Sequence, residues 1–222
     1  MKRKFDALYS GTGPKSGEND DEVVSIDLGE IMKQALGGGG GPAGKFKQKQ
    51  KKIDNDHNHI YFYSEVNRDS AYELCSLIRE VDDTNTTLKN KLKVDEIPVY
   101  IHIMSNGGCI FSAFNVIDHI KRGKNPVYSV IEGCAASAAT LISVVCTKRY
   151  ILPSAHMLIH QISSGWEGKM SEMEDEMLNL KELTSKLKTF YNDNTDLSLR
   201  QLNSLLKRDL WLNTDKCIEY GL

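Results

Sequence analysis

The chain reads as an α/β protein, and three observations predict this. From residue 59 onward, short β-type apolar runs alternate with stretches of helical spacing. Glycine, proline and asparagine punctuate the joins between them. The 222 residues, 40% of them hydrophobic, suffice for one sizeable core. A β-α-β-α order argues for parallel strands joined by right-handed crossovers.

Each element has its own signal. Residues 60–63, Ile-Tyr-Phe-Tyr, form a short apolar run bounded by polar residues, a strand. Ala71, Leu74, Leu77, Ile78 and Val81 recur at helical spacing and predict a helix over 69–81. The polar stretch 82–95 reads as a surface excursion. Residues 97–104 read as a strand, closed by a turn at Ser105-Asn106-Gly107-Gly108. Helical spacing returns at 110, 113, 114, 117 and 120 and ends near Gly123. Asn125-Pro126 opens a strand over 127–131, and the small-residue run 133–140 leads into an apolar helix. Residues 149–152 and 156–162 read as two further strands. Ser171-Glu172-Met173-Glu174 reads as a capping box opening a long helix. That helix has a three-four apolar stripe of Met173, Met177, Leu180, Leu183, Leu187 and Phe190 or Tyr191.

Residues 1–58 differ in composition. They carry five consecutive glycines (37–41) and then five lysines among residues 45–52. Such a segment buries too little apolar surface to offset chain entropy, so it reads as a disordered Gly/Lys-rich arm before a domain at 59–222. The lysine run reads as a solvated tether rather than a nucleic-acid contact. A net charge of -2 gives no global electrostatic case for nucleic acid. No run of about 18 apolar residues predicts a membrane span, and no apolar stretch follows the basic start as in a signal peptide. Five scattered cysteines without a Cys-x-x-Cys pair suit reduced thiols in a cytoplasmic setting, not a zinc site.

Ser137 is the strongest candidate for chemistry. It follows a strand, heads a helix and has only small neighbours, Ala135, Ala136, Ala138 and Ala139. Amides at a helix start lack intrahelical partners and can face an anion. A serine nucleophile also needs a base. His156 and His160 share the predicted strand 156–162, and period-two alternation puts both on one face. The loop after His160 favours it modestly; the tie stays open on these grounds. Asp209 sits among large apolar residues that could bury it, but an ordinary surface pair with Arg208 is the stronger reading for any single aspartate among so many acids. Gly107-Gly108 offers backbone amides for an oxyanion.

Five segments in this order resemble the Clp protease proteolytic subunit family. They are Ser105-Asn106-Gly107-Gly108, then 133–137 ending at Ser137, then Leu152-Pro153 with Ile159-His160-Gln161. Arg208-Asp209 and Glu219-Tyr220-Gly221-Leu222 complete the series. The resemblance covers 60–222 and departs from the family pattern at Asn106, Ala138 and Ile162. It implies a crotonase-like α/β fold, a spiral of β-β-α units with a projecting handle helix. It implies Ser137 as nucleophile, His160 as base, Asp209 as acid, and the amides of Gly108 and Ala138 as oxyanion hole. Gly107, Gly108, Cys109, Ile110 and Ser163 would bind an extended substrate as an added strand. The implied activity is ATP-dependent serine endopeptidase action on unfolded polypeptides or peptides, with no metal or organic cofactor. A homo-oligomer of stacked heptameric rings and an AAA+ unfoldase partner follow by the same resemblance. The alternative is a catalytically weak structural subunit of a mixed ring. An acyl-CoA enzyme of the related fold would use acid/base carboxylates in place of the serine and histidine.

Overall fold

The computed structural model describes residues 53–165 and 167–222. The arm therefore lies outside the described residues except at its last six positions. There the domain boundary needs correction: Ile53–Asp56 is a strand (β1), antiparallel to β2, His59–Phe62. Its sequence, Ile-Asp-Asn-Asp, hides this, because only Ile53 is buried in an otherwise polar edge strand.

The sheet continues through β3 (Val99–Ser105), β4 (Val127–Ala136), β6 (His156–Leu158) and β7 (Trp211–Leu212). β5 (Lys148–Ile151) also pairs with β4. The pairings β2-β3, β3-β4, β4-β5 and β4-β6 are parallel, and β6-β7 is antiparallel. Alternation along β2 and β3 sends Ile60, Phe62, Ile101 and Ile103 into the core. Tyr61, Tyr100 and His102 stand on the opposite face, where His59 stacks on Tyr100 and Tyr61 on His102. On that face His102 bridges His59 and Glu132 at 2.8 Å each.

Helix α1, Arg68–Leu92, is longer than the apolar stripe predicts. It buries Ala71, Leu74, Cys75, Ile78 and Val81. It then continues through the supposed excursion because two of the polar residues there are buried and bonded. Asp82 accepts the backbone N–H groups of Lys124 and Asn125, at 3.0 and 2.9 Å. Asn85 donates to the carbonyls of Ile97 and Pro98. Helix α2 is Ile110–Arg122, with Gly123 following it.

β4 also runs past its predicted end at 131. A two-residue step along β3 (Ile103 to Ser105) matches a four-residue step along β4 (Ile131 to Ala135), an irregularity with Gly133 at φ 64°. β5 pairs before this bend and β6 after it. Helix α3, Ala138–Val144, starts directly beyond and is buried throughout.

Helix α4, Met170–Asn194, begins one residue before Ser171. Glu172 accepts the N–H of Lys169 at 3.0 Å, so Lys169, not Ser171, takes the cap position. Only Leu187 and Tyr191 of its apolar stripe are buried; Met173 and Met177 are exposed. Helices α5 (Leu199–Leu205) and α6 (Thr214–Tyr220) flank β7 in the chain.

Candidate active site

Ser137 occupies the step from β4 to α3 with φ 52° and ψ -125°. Positive φ is costly for a residue with a Cβ, so surrounding bonds must hold it. Its N–H donates to the Leu158 carbonyl at 2.8 Å. Its own carbonyl accepts the N–H of Thr140 at 3.0 Å and the Thr140 hydroxyl at 2.7 Å.

Gly107, at φ 92°, lies directly against this elbow. A Cβ there would stand 2.5 Å from the Ala136 carbonyl and 2.7 Å from the Ser137 Cβ. Gly108, at φ 140°, approaches Val66 equally closely. The Val66 N–H donates to the Gly107 carbonyl, and the Cys109 N–H to the Val66 carbonyl, both at 2.7 Å. Among the described residues, no hydrogen bond takes up the N–H of Gly108 or Ala138. Two glycines are thus needed because backbone must touch backbone on both sides of the turn.

Strand β6 stops at Leu158, so His160 lies beyond the strand, not within it as the alternation argument assumed. The next residue is anchored, Gln161 N–H donating to the Leu206 carbonyl at 3.0 Å. His160 joins Ser137 in lining a cleft of about 260 Å³. His156 is not among the lining residues; it is exposed, with Nδ1 3.2 Å from the Ser154 carbonyl. Asp209 corrects an expectation. Its Oδ1 is 3.6 Å from His160 Nδ1, an ion-pair distance too long for a hydrogen bond. Its side chain is 78% exposed, against 26% for His160. The neighbours that could have buried it, Leu210 and Trp211, are themselves about half exposed, at 48% and 49%, so the surface reading of Asp209 holds.

The cleft brings together Gly108, Cys109, Ile110, Ser137, Ala138, His160 and Ser163. Gly107 stands behind the serine, and Asp209 lies outside the lining. Residue-by-residue reading missed the apolar walls, Leu141, Ile162, Leu187 and Tyr191. The last two belong to the stripe of α4 and gave no separate signal. Hydrogen bonds from the side chain and backbone of Ser112 lower the pKa of the Cys109 thiol at the cleft mouth. Burial pushes the Tyr191 hydroxyl well above its ordinary range, so it stays protonated. No group of three or more His, Cys, Asp or Glu gathers as a metal site among the described residues. No described helix is long and apolar enough to cross a membrane.

These features define a class: a mixed α/β fold whose cleft presents a serine on a strand-to-helix elbow beside a histidine. The family model described as Clp protease matches residues 43–222, and the chain belongs to the Clp protease family. It is 35% identical over 127 residues to the ATP-dependent Clp protease proteolytic subunit 2 of Treponema denticola. That match covers 56% of this chain and 64% of the relative. The ATP-dependent Clp protease proteolytic subunit of Streptococcus mutans is 31% identical, with 55% and 65% covered. The chain thus spans a little under two thirds of the length of these relatives. A point mutant of ClpP1 from Listeria monocytogenes superposes with a TM-score of 0.64 at 23% identity, covering 74% of this chain and 88% of its own. The fold is therefore the crotonase-like α/β fold of that family.

Proposed function

We propose that the chain is a serine endopeptidase that cleaves unfolded polypeptides or peptides through an acyl-enzyme. The observation that carries this reading is the Ser137 elbow, held at positive φ and sharing one cleft with His160. Ser137 Oγ attacks the substrate carbonyl carbon while His160 takes the hydroxyl proton. His160 returns that proton to the leaving amine, and water then hydrolyses the ester by the reverse sequence. The amides of Gly108 and Ala138 receive the oxyanion, where one such donor contributes about 3–4 kcal/mol in comparable sites. Asp209 balances the imidazolium. An extended substrate lies along Gly107 to Ile110 and Ser163, held by main-chain hydrogen bonds. No cofactor enters these steps.

Ring assembly, a cytoplasmic setting and an unfoldase partner are proposed from the family. The exposed Met170, Met173, Met177 and Leu178 of α4 suit association with further copies. The exposure of Asp209 favours one second reading, a weakly active structural subunit of a mixed ring. A fluorophosphonate probe separates the two. Labelling at Ser137 that disappears in His160→Ala supports the peptidase. An assembled protein that never labels establishes the structural subunit.

A further inference from the structure

Tyr191 is a buried phenol whose hydroxyl has one hydrogen-bond partner among the described residues. It lies on α4, is 2% exposed, and forms part of the cleft wall. Its hydroxyl is 2.5 Å from Thr140 Oγ1. The Thr140 hydroxyl hydrogen is already committed to the Ser137 carbonyl at 2.7 Å. Tyr191 must therefore be the donor and Thr140 the acceptor. Thr140 is fully buried, so neither hydroxyl has water as an alternative.

The result is a chain of two hydrogen bonds, Tyr191 to Thr140 to Ser137, that ends on the main chain of the candidate nucleophile. It supplements the Thr140 N–H on the same carbonyl. On the other side of Ser137, its N–H is tied to Leu158. A residue at φ 52° relaxes toward negative φ unless both flanking peptide groups are held. The Leu158 bond holds the first peptide; the Thr140 and Tyr191 pair holds the second.

We propose that Tyr191 is a positioning residue for Ser137. Through Thr140 it fixes the carbonyl of the nucleophile, and so the elbow conformation that aims Oγ into the cleft. It does not touch the reacting atoms and takes no part in proton transfer. The consequence is that the long helix reaches the main chain of the nucleophile through the Tyr191 side chain. This rests on the peptidase reading only for its kinetic consequence; the structural link stands apart from it.

The test uses the full chain with Tyr191→Phe, Thr140→Val, their double variant, and Thr140→Ser. Tyr191→Phe keeps the ring and its packing and removes one hydroxyl. Losing one bond in the chain lowers the probe labelling rate and kcat about five- to tenfold, with KM for a short peptide unchanged. The double variant is no slower than Thr140→Val alone, because both act through the same chain. Thr140→Ser, which keeps the hydroxyl, retains the wild-type rate. Amide hydrogen exchange supplies a readout independent of activity: Tyr191→Phe speeds exchange at Ser137 to Leu141 while β2 and β3 keep their protection. A faster exchange confined to the elbow supports the link even if no form of the chain labels, in which case only the peptidase reading fails. Unchanged elbow exchange in Tyr191→Phe overturns the proposal, as does an unchanged labelling rate in a chain whose wild type labels.

Discussion

Replacing Asp209 with asparagine is the sharpest probe of the site, because its geometry sets a small effect. The attraction between an imidazolium and a carboxylate at the observed 3.6 Å is about 1 kcal/mol in bulk water and about 4–5 kcal/mol at an effective dielectric near 20. A side chain that is 78% exposed lies toward the first value. Asp209→Asn should therefore cost about 1–2 kcal/mol, a fall of about 5- to 30-fold in kcat/KM. A buried, hydrogen-bonded triad aspartate costs about 10⁴-fold on the same change. The assay is hydrolysis of a fluorogenic peptide at neutral pH, with kcat/KM compared between wild type and variant. Because the pair is exposed, the wild-type advantage should also shrink as salt rises from about 0.05 to 0.5 M. A loss near 10⁴-fold that is insensitive to salt would falsify this reasoning, since only a desolvated and bonded carboxylate could produce it.

Two further outcomes follow from other parts of the molecule. Gly107→Ala puts a Cβ 2.5 Å from the Ala136 carbonyl at φ 92°, so the elbow must shift; probe labelling of Ser137 should fall by about 100-fold or more, and near-normal labelling would show that the turn tolerates the side chain. Burial, and secondarily the neighbouring His102, lowers the pKa of His59 below its ordinary 6.5. The folded state thus prefers neutral His59, and this contribution to stability is complete above pH 6.5 and is lost as pH falls below it. The melting temperature of His59→Gln should accordingly drop less between pH 7.5 and 5.5 than that of wild type; an equal or larger drop would place the acid sensitivity elsewhere.

The legible and illegible parts of this chain differ by physical cause. Strands β2 and β3 and helix α2 could be read because their buried faces are built mainly from apolar residues at one period. The second half of α1 could not, because Asp82 and Asn85 are buried through hydrogen bonds rather than apolarity. β1 was hidden likewise, with one buried residue in four. The far half of β4 was hidden by Glu132-Gly133-Cys134, which interrupts the continuously buried run 127–131 at the irregularity in the ladder. In the cleft, Ser137 and the glycine pair were legible as small residues where backbone must come close. His160 was chosen over His156 by resemblance to a family; the strand that ends at Leu158 separates them in space. Tyr191 was legible only as one more position in an apolar stripe, since no pattern in one helix reveals a partner 51 residues away.

The junction of β4 and β6 has a mechanical consequence. Three residue pairs, Cys134 with His156, Ala135 with Met157 and Ala136 with Leu158, set the phase between the strand that ends in Ser137 and the strand that leads to His160. Sliding that short ladder by one notch would carry the histidine about 3.3 Å along the sheet and turn the preceding side chains to the opposite face. Two neighbouring settings of such a ratchet differ by far more than the proposed proton transfer between Ser137 and His160 would tolerate. A stimulus acting on this seam would switch the chain rather than tune it.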